Sequence, residues 1–345
     1  MTSTLARPAS PAPSALRAAA PSAFAPLVRT VTDHGLLLRR YRQYAVMIGV
    51  NLALLAATAA AMIAVGPSWW QLALAVPLAV LSARSGFIGH DAGHKQIARS
   101  HRANRLLGLF HGNLLIGMSH GWWVSKHSRH HAHPNDVERD PDVGNGVLAW
   151  TSEQAVGRRG LARWFARHQH VTFFPLLLLE ALNLKASSWL DLRARRGSGV
   201  LVETTLLVAH TVGYVAFLLA VMTPGQAIAF AAVHHALFGL HLGCAFAPNH
   251  KGMPMPAPGE RWNHLQRQVI TSRNVRGGAV TDWLLGGLNY QIEHHLFPSM
   301  PRQALRSAQP LVREHCLAVG LPYTEESALD SYRHALGHLR DVGTD

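Results

Sequence analysis

The sequence predicts an all-α integral membrane protein, with four transmembrane helices in two hairpins and a large cytosolic helical cap. Hydrophobic residues make up 48% of its 345 residues and charged residues only 15%, a low charged fraction for a soluble domain. Residues 44–83 and residues 200–248 contain neither Lys nor Arg, although the chain carries 32 of them. Long apolar runs without basic residues, in an otherwise basic chain, are typical of membrane hairpins.

The two hairpins are predicted from residues 44–65 and 69–89 and from residues 200–222 and 226–248. Each segment is close to the ~20 apolar residues that one helical span requires. A Gly-Pro-Ser sequence separates the first two spans and a Thr-Pro-Gly sequence the last two, as expected for tight turns. Because neither turn contains Lys or Arg, the positive-inside rule predicts that both turns face outward. The termini and the cap are then cytosolic.

The remaining segments complete the predicted domain organisation. Residues 39–335 form one membrane domain, preceded by a disordered Ala/Pro-rich tail over residues 1–38 and followed by a short tail over residues 336–345. The apolar segments 106–118 and 171–184 are shorter than a span, which favours interfacial or re-entrant helices.

Charge and cysteine content exclude other classes of protein. The net charge is +13, but the basic residues are not interleaved with aromatic residues in a nucleic-acid recognition pattern. The predicted partner of this positive charge is therefore an anionic lipid surface. Nucleic acid is not a predicted partner. Cys244 and Cys316 are far apart and form no C-x-x-C pair, which argues against a disulfide framework or a thiolate metal site.

Three clusters of histidines are the candidate metal ligands. They are His90 and His94 in HDAGH, His127, His130 and His131 in HSRHH, and His294 and His295 in QIEHH. On a helix, positions i and i+4 lie on one face, so the imidazoles of a cluster can point at the same region. Each cluster is predicted at the cytosolic edge of a hairpin. Histidines unrelated to a metal would not be expected to share this location.

The number of histidines indicates how many metals they hold. Seven clustered imidazoles exceed what one tetrahedral site uses, and they suit two metals with open positions for oxygen and substrate. Imidazole binds Fe, Zn, Cu and Ni, so the ligand type leaves the metal open. Asp91 is a candidate to accept a hydrogen bond from a ligand imidazole. The alternative for Asp91 is a carboxylate at a helix terminus or in a salt bridge.

The motifs HDAGH, HSRHH and QIEHH, with the hairpins between them, resemble the three histidine boxes of membrane fatty acid desaturases. The sequence of residues 282–302, DWLLGGLNYQIEHHLFPSMPR, is especially similar to acyl-lipid and acyl-coenzyme A desaturases whose third box begins with Gln. This resemblance implies a non-haem di-iron centre, molecular oxygen as the oxidant and an external supply of electrons.

The resemblance also extends the ligand set. Members of that family use a histidine at the end of the fourth span, and AFAPNHKGMP offers His250 at the matching place. Beside it, Asn249 would bind a metal-coordinated water or orient His250. Gln291 departs from an all-histidine third box, and its amide oxygen is a weak ligand.

The predicted function is O2-dependent desaturation of a long-chain fatty acyl group carried on lipid, coenzyme A or a carrier protein. No segment resembles a haem-binding cytochrome domain or a dinucleotide-binding glycine motif, so an external carrier such as a ferredoxin or flavoprotein reductase is expected. The Ala- and Arg-rich composition favours a bacterial plasma membrane.

Two alternatives remain open for the function. The same centre could catalyse hydroxylation, ketone formation or triple-bond formation. A histidine-rich metal-binding membrane protein is the alternative from another class, but a transporter would place its ligands along a path through the bilayer. Three histidines lie inside the predicted spans and are expected to form hydrogen bonds between helices: His210, His234 and His235.

Overall fold

A computed structural model describes residues 23–257 and 259–344. This part of the chain is almost entirely helical, and its one sheet consists of two short parallel strands. The elements in chain order are α1 Phe24–Asp33, α2 Tyr41–Val65, α3 Gln71–Gly93, α4 His101–Gly108, a π-helix Leu109–Leu115, α5 His120–Ala132, α6 Ser152–Val156, α7 Gly160–Arg167, α8 Gln169–Leu177, α9 Glu180–Ala194, α10 Ser198–Val221, α11 Pro224–His250, α12 His264–Ile270, β1 Asn274–Arg276, α13 Ala279–Leu284, α14 Gln291–Leu296, α15 Arg302–Ala318, β2 Glu325–Ser327 and α16 Ala328–Thr344.

Four helices are long and apolar enough to cross a membrane. They cover Tyr41–Val65, Gln71–Gly93, Gly199–Val221 and Pro224–His250. The predictions of an all-α fold and of four spans are therefore confirmed. Two of these helices extend beyond the apolar runs at the ends that carry histidines: α3 continues through His90, and α11 ends at His250.

The chain divides into two compact units. Unit 1 comprises the described residues of Met1–Leu38, Lys126–Phe173 and Ala245–Asp345, and unit 2 comprises Arg39–Ser125 and Phe174–Cys244. The single membrane domain predicted over residues 39–335 is thus shared between the two units.

Unit 2 contains the first hairpin, closed by a tight turn at Gly66. Gly66 has a φ of 62°, a left-handed conformation that glycine adopts without steric cost. The Gln71 side chain donates to the backbone carbonyls of Met62 and Gly66, at 2.7 and 2.8 Å, and so closes the turn. Further along the hairpin, the buried side chain of Asn51 donates to Ser85 Oγ at 2.9 Å, which links α2 to α3.

Unit 1 is built around an apolar core to which α1, α12, α14 and α15 contribute. Its buried residues include Leu27, Val31, Leu265, Val269, Ile292, Leu305, Val312 and Cys316. The two-stranded sheet pairs Asn274 with Glu325 and Arg276 with Ser327. Side chains from this sheet reach the third histidine cluster, as described below.

The two predicted tails need correction. Residues 1–22 lie outside the described residues, but Phe24–Asp33 is helical, and Leu27 and Val31 are buried in the unit 1 core. At the other end, α16 continues through the predicted tail to Thr344 and buries Leu339 and Val342. In both segments, apolar residues at helical spacing pack against the core, and this packing outweighs the polar or Ala/Pro-rich composition.

Candidate metal centre

Helix α5 carries the second histidine cluster, and its N-terminus is fixed by residues of unit 2. Ser119 Oγ accepts a hydrogen bond from the backbone N–H of Trp122 at 3.1 Å. The buried carboxylate of Glu203 accepts from the backbone N–H of Gly121 at 3.1 Å and from the Ser119 hydroxyl at 2.5 Å. A carboxylate in this position satisfies free N–H groups and complements the helix dipole. The first turn of the helix is thereby held in place.

Helix α14 carries the third cluster, and all six of its residues are buried. Asn274 Oδ1 accepts from the backbone N–H of Ile292 at 2.9 Å, and Asn274 Nδ2 donates to the Glu293 carboxylate at 2.7 Å. The Tyr323 hydroxyl also donates to this carboxylate, at 2.7 Å. Burial raises the pKa of Glu293 to about 7, against the opposing effect of these two hydrogen bonds. Buried polar contacts thus hold this short helix.

Three imidazoles of unit 1 converge on one point. His250 Nε2 lies 3.3 Å from His130 Nε2 and 3.0 Å from His295 Nε2. All three residues are buried, and together they form one of the groups whose geometry could hold a metal ion.

The opposite nitrogen of each of these rings faces a hydrogen-bond acceptor. These acceptors are the Asp140 carboxylate for His130, the backbone carbonyl of Thr271 for His250 and Gln268 Oε1 for His295, each at 2.9 Å from Nδ1. The Gln268 amide is oriented by its nitrogen, which donates to the His131 carbonyl at 2.9 Å. Because the acceptors require a proton on each Nδ1, each neutral ring presents an unprotonated Nε2.

Three facing lone pairs cannot hydrogen-bond to one another, so this arrangement suits a cation. Nitrogens bonded to one metal at about 2.1 Å in neighbouring coordination positions lie about 3 Å apart. The observed separations of 3.0 and 3.3 Å match that spacing. The donor set therefore fits a transition metal that accepts imidazole ligands.

The other candidate ligands of unit 1, His127, His131 and His294, lie close to these three. His127 Nε2 lies 3.1 Å from His131 Nε2, and the His131 ring stacks on the His295 ring with centroids 4.1 Å apart. The ring of His294 lies 4.8 Å from that of His131 and 6.3 Å from that of His127. The structure thus brings the second cluster, the third cluster and His250 together within unit 1.

The first cluster lies in unit 2. The rings of His90 and His94 are 4.7 Å apart, and the Trp123 ring lies 5.2 Å from His90 and 6.1 Å from His94. Gly93 makes this close approach possible, since a Cβ atom there would lie 2.5 Å from the Trp123 ring.

Asp91 is buried beside the first cluster. Its carboxylate accepts from His90 Nδ1 at 3.2 Å and from the Tyr44 hydroxyl at 2.9 Å. The Tyr44 hydroxyl also lies 2.9 Å from Gln96 Oε1. The Asp91 carboxylate thus lies against the imidazole of a candidate ligand.

Gln291 and Asn249 both lie near His250, but only the Gln291 side chain contacts the His250 ring. Gln291 Nε2 is 2.8 Å from His250 Nε2, and Gln291 Oε1 accepts from Asn249 Nδ2 at 3.2 Å. Asn249 therefore contacts Gln291, whereas the Thr271 carbonyl orients the His250 ring. In this arrangement, the oxygen of Gln291 points away from the three converging nitrogens.

The residues that fix the histidine rings were not predicted from the sequence; they are Asp140, Gln268 and Thr271. Asp140 lies in an Asp-Pro-Asp sequence, which is typical of a turn, but an acidic pair shortly after HSRHH is also a signal that could have identified it. Burial alone would raise the pKa of Asp140, but the hydrogen bond from His130 lowers it. Gln268 lies in α12 and Thr271 directly follows that helix, and no local sequence pattern marks either residue.

A family model and several relatives of known name are similar in sequence to this chain, and all are described as fatty acid or acyl-lipid desaturases. A family model described as fatty acid desaturase matches residues 67–327. An acyl-lipid (9-3)-desaturase of Borago officinalis is 30% identical over 275 residues, which cover 75% of this chain and 61% of the relative. Delta(8)-fatty-acid desaturase 2 of Arabidopsis thaliana is 31% identical over 78% of this chain and 63% of the relative. A Delta(5) fatty acid desaturase of Caenorhabditis elegans is 31% identical over 79% of this chain and 64% of the relative. The chain thus spans less than two thirds of the length of these relatives.

Proposed function

Because the chain belongs to the fatty acid desaturase family, we propose that it is a membrane enzyme that forms a carbon–carbon double bond in a long-chain fatty acyl substrate. O2 is the proposed oxidant, and the electrons come from an external carrier such as a ferredoxin or flavoprotein reductase. The main support is the convergence of the Nε2 atoms of His130, His250 and His295, each with an acceptor on its Nδ1.

We propose that eight histidines hold two non-haem irons. They are His90, His94, His127, His130, His131, His250, His294 and His295. Irons bound there would supply the redox chemistry by which O2 and two external electrons remove hydrogen from two adjacent, unactivated methylenes. The protein supplies neutral imidazoles in fixed orientations and determines which carbon atoms are presented.

The residues around the ligands keep those imidazoles in the required state. The proton of each ring is held on Nδ1 by an acceptor from Asp140, Thr271 or Gln268. The lone pair of Nε2 therefore stays available to coordinate a metal. Asp91 has the same proposed role for His90. Gln291 is proposed to hold its neighbours Asn249 and His250 in place rather than to coordinate a metal.

The relatives support a fatty acyl substrate, because their names describe acyl-lipid or fatty acid desaturases. Those names differ in the position of the double bond, so the position in this product must be measured. The charge distribution supports a cytosolic location for the site and both termini. The predicted bacterial plasma membrane gains no support from these eukaryotic relatives.

Expression in a host of known lipid composition tests the proposal. We expect new double bonds in host acyl chains, detected by mass spectrometry as the loss of two hydrogens. Replacing His295 by Ala should abolish this product and reduce the iron bound to the purified protein, because one of three converging ligands is lost. Product mass also separates desaturation from hydroxylation, which adds an oxygen atom.

His168→Ala is the matched control. His168 is exposed and lies outside the histidine clusters, with its Nδ1 on the carbonyl of Trp164 at 2.8 Å. This variant should retain both iron and product. Retention of the full product by His295→Ala would overturn the ligand assignment, and an oxygenated product from the wild-type protein would overturn simple desaturation.

A further inference from the structure

Unit 2 contains two cavities that none of the proposed metal ligands lines. Their volumes are about 350 Å³ and about 150 Å³, and they share Leu78, Leu115, His210 and Tyr214 in their walls. The larger volume falls within the range of roughly 300–1,000 Å³ that small-molecule sites occupy. Because four residues line both of them, the two cavities adjoin each other beside α2, α3, the π-helix and α10.

The larger cavity is apolar and opens on the side of the spanning helices. Its lining includes Met62, Leu114, Phe217 and Leu218. Ala209 and Gly213, small residues one helical turn apart on α10, line the cavity and are exposed. The opening therefore faces the surroundings of the spans, from which a lipid-soluble molecule can enter.

The smaller cavity is polar at one side, where Lys185 meets His210. Lys185 Nζ lies 3.1 Å from His210 Nε2, and His210 Nδ1 donates to the carbonyl of Leu114 at 3.0 Å. His210 Nε2 must therefore accept, and Lys185 donates one of its N–H groups to it. Gly117 makes room for the pair, since a Cβ atom there would lie 2.3 Å from the His210 ring and 3.1 Å from Lys185 Nζ.

The other polar groups of this cavity satisfy one another. His234 Nδ1 lies 2.9 Å from the Tyr214 hydroxyl, and His234 Nε2 lies 3.2 Å from Ser82 Oγ. These contacts support the expectation that His210 and His234 form hydrogen bonds between helices. At this cavity, the unused N–H groups consequently belong to the ammonium of Lys185.

Lys185 remains a cation without an anion in the described part of the chain. No carboxylate of residues 23–257 or 259–344 forms an ion pair with it, and Tyr214 offers only a ring face at 6.0 Å. Burial lowers the pKa of Lys185 to about 8, which leaves the amine mostly protonated at neutral pH. A partly buried ammonium with unused N–H groups is stabilised by an anionic partner.

We propose that unit 2 binds an anionic amphiphile whose acyl chain fills the larger cavity and whose carboxylate or phosphate head pairs with Lys185. The apolar volume, the opening beside Ala209 and Gly213 and the ammonium of Lys185 all match such a molecule. A fatty carboxylate and a lipid phosphate share this chemistry. This proposal does not depend on the proposed desaturase activity.

Photolabelling of the full-length protein in phosphatidylcholine nanodiscs tests the proposal. The probes are a fatty acid with a diazirine at its chain end, phosphatidic acid with the same chain, and the uncharged methyl ester of the fatty acid. We expect an anionic probe to label peptides covering residues 55–62 or 209–218, which line the cavities. Lys185→Met should reduce that labelling about tenfold or more, because a charge-assisted hydrogen bond is lost, whereas Lys185→Arg should retain it.

Two further variants make the result decisive. Lys95→Met removes the same charge from an exposed lysine outside the cavities and should label like the wild type. Ala209→Leu should block the opening and reduce labelling even if Lys185→Met fails to fold. Labelling by only one anionic probe identifies carboxylate or phosphate as the source of the head group. Absence of labelling, equal labelling by the methyl ester, or unchanged labelling in Lys185→Met and Ala209→Leu would overturn the proposal.

Discussion

Replacing Asp140 by Asn tests whether the carboxylate on His130 tunes the proposed metal site. The carboxylate is buried and accepts from three groups: His130 Nδ1, the backbone N–H of Asn135 at 2.8 Å and that of Asp142 at 2.9 Å. Asn keeps one acceptor oxygen and loses the negative charge that favours the Nδ1–H form of His130. Loss of such a partner typically weakens metal binding by about 10–100-fold, or ~1.4–2.7 kcal/mol.

The same substitution also affects stability, so the two effects must be measured separately. At least one buried N–H loses its acceptor, which costs about 1–3 kcal/mol. Anaerobic titration of the purified, metal-depleted protein with Fe(II), in competition with a chromophoric chelator, gives the affinity. Thermal unfolding of the metal-free protein gives the change in stability.

Glu138→Gln is the control for Asp140→Asn. Glu138 is exposed in the same loop, so its replacement removes an equal charge without touching a ring. We expect this variant to bind Fe(II) like the wild type. Equal Fe(II) affinity of the Asp140 and Glu138 variants would refute the role assigned to the buried carboxylate.

Three further predictions follow from other contacts. Gln268→Ala should weaken Fe(II) binding about 10–100-fold and Gln268→Glu much less, because Glu keeps an acceptor for His295 Nδ1; equal affinities of these variants would contradict this. Removing bound metal with a chelator should lower the Tm by roughly 5 °C or more, because the facing Nε2 atoms lose their cation; an unchanged Tm after verified metal loss would argue against it. Gly93→Ala should cost about 1–3 kcal/mol in thermal unfolding, since its Cβ would meet Trp123, whereas Gly49→Ala meets no atom within 4 Å and should be neutral or stabilising; equal melting of the two would count against the packing argument.

The sequence by itself was sufficient to predict the spans and the histidine clusters. Both are local patterns: a span is a continuous apolar run, and ligands at i and i+4 lie on one face of one helix. Helices α2, α3, α10 and α11 accordingly match the predicted segments to within two residues at the turn ends. The same local view failed for residues 24–38 and 336–344, where composition suggested tails but a few apolar residues at helical spacing pack into a core.

Only the tertiary structure decided which atoms complete the site. The acceptors on the histidine Nδ1 atoms come from residues 10, 21 and 27 positions away in sequence, and Tyr323 reaches Glu293 across 30 positions. Such contacts depend on how helices and strands pack, so no periodic pattern encodes them. The pairing of Lys185 with His210 is of the same kind, since two helices and Gly117 create a cavity that neither segment specifies alone. The sequence therefore determined the candidate ligands, whereas the packing of distant segments determined their tautomers and neighbours.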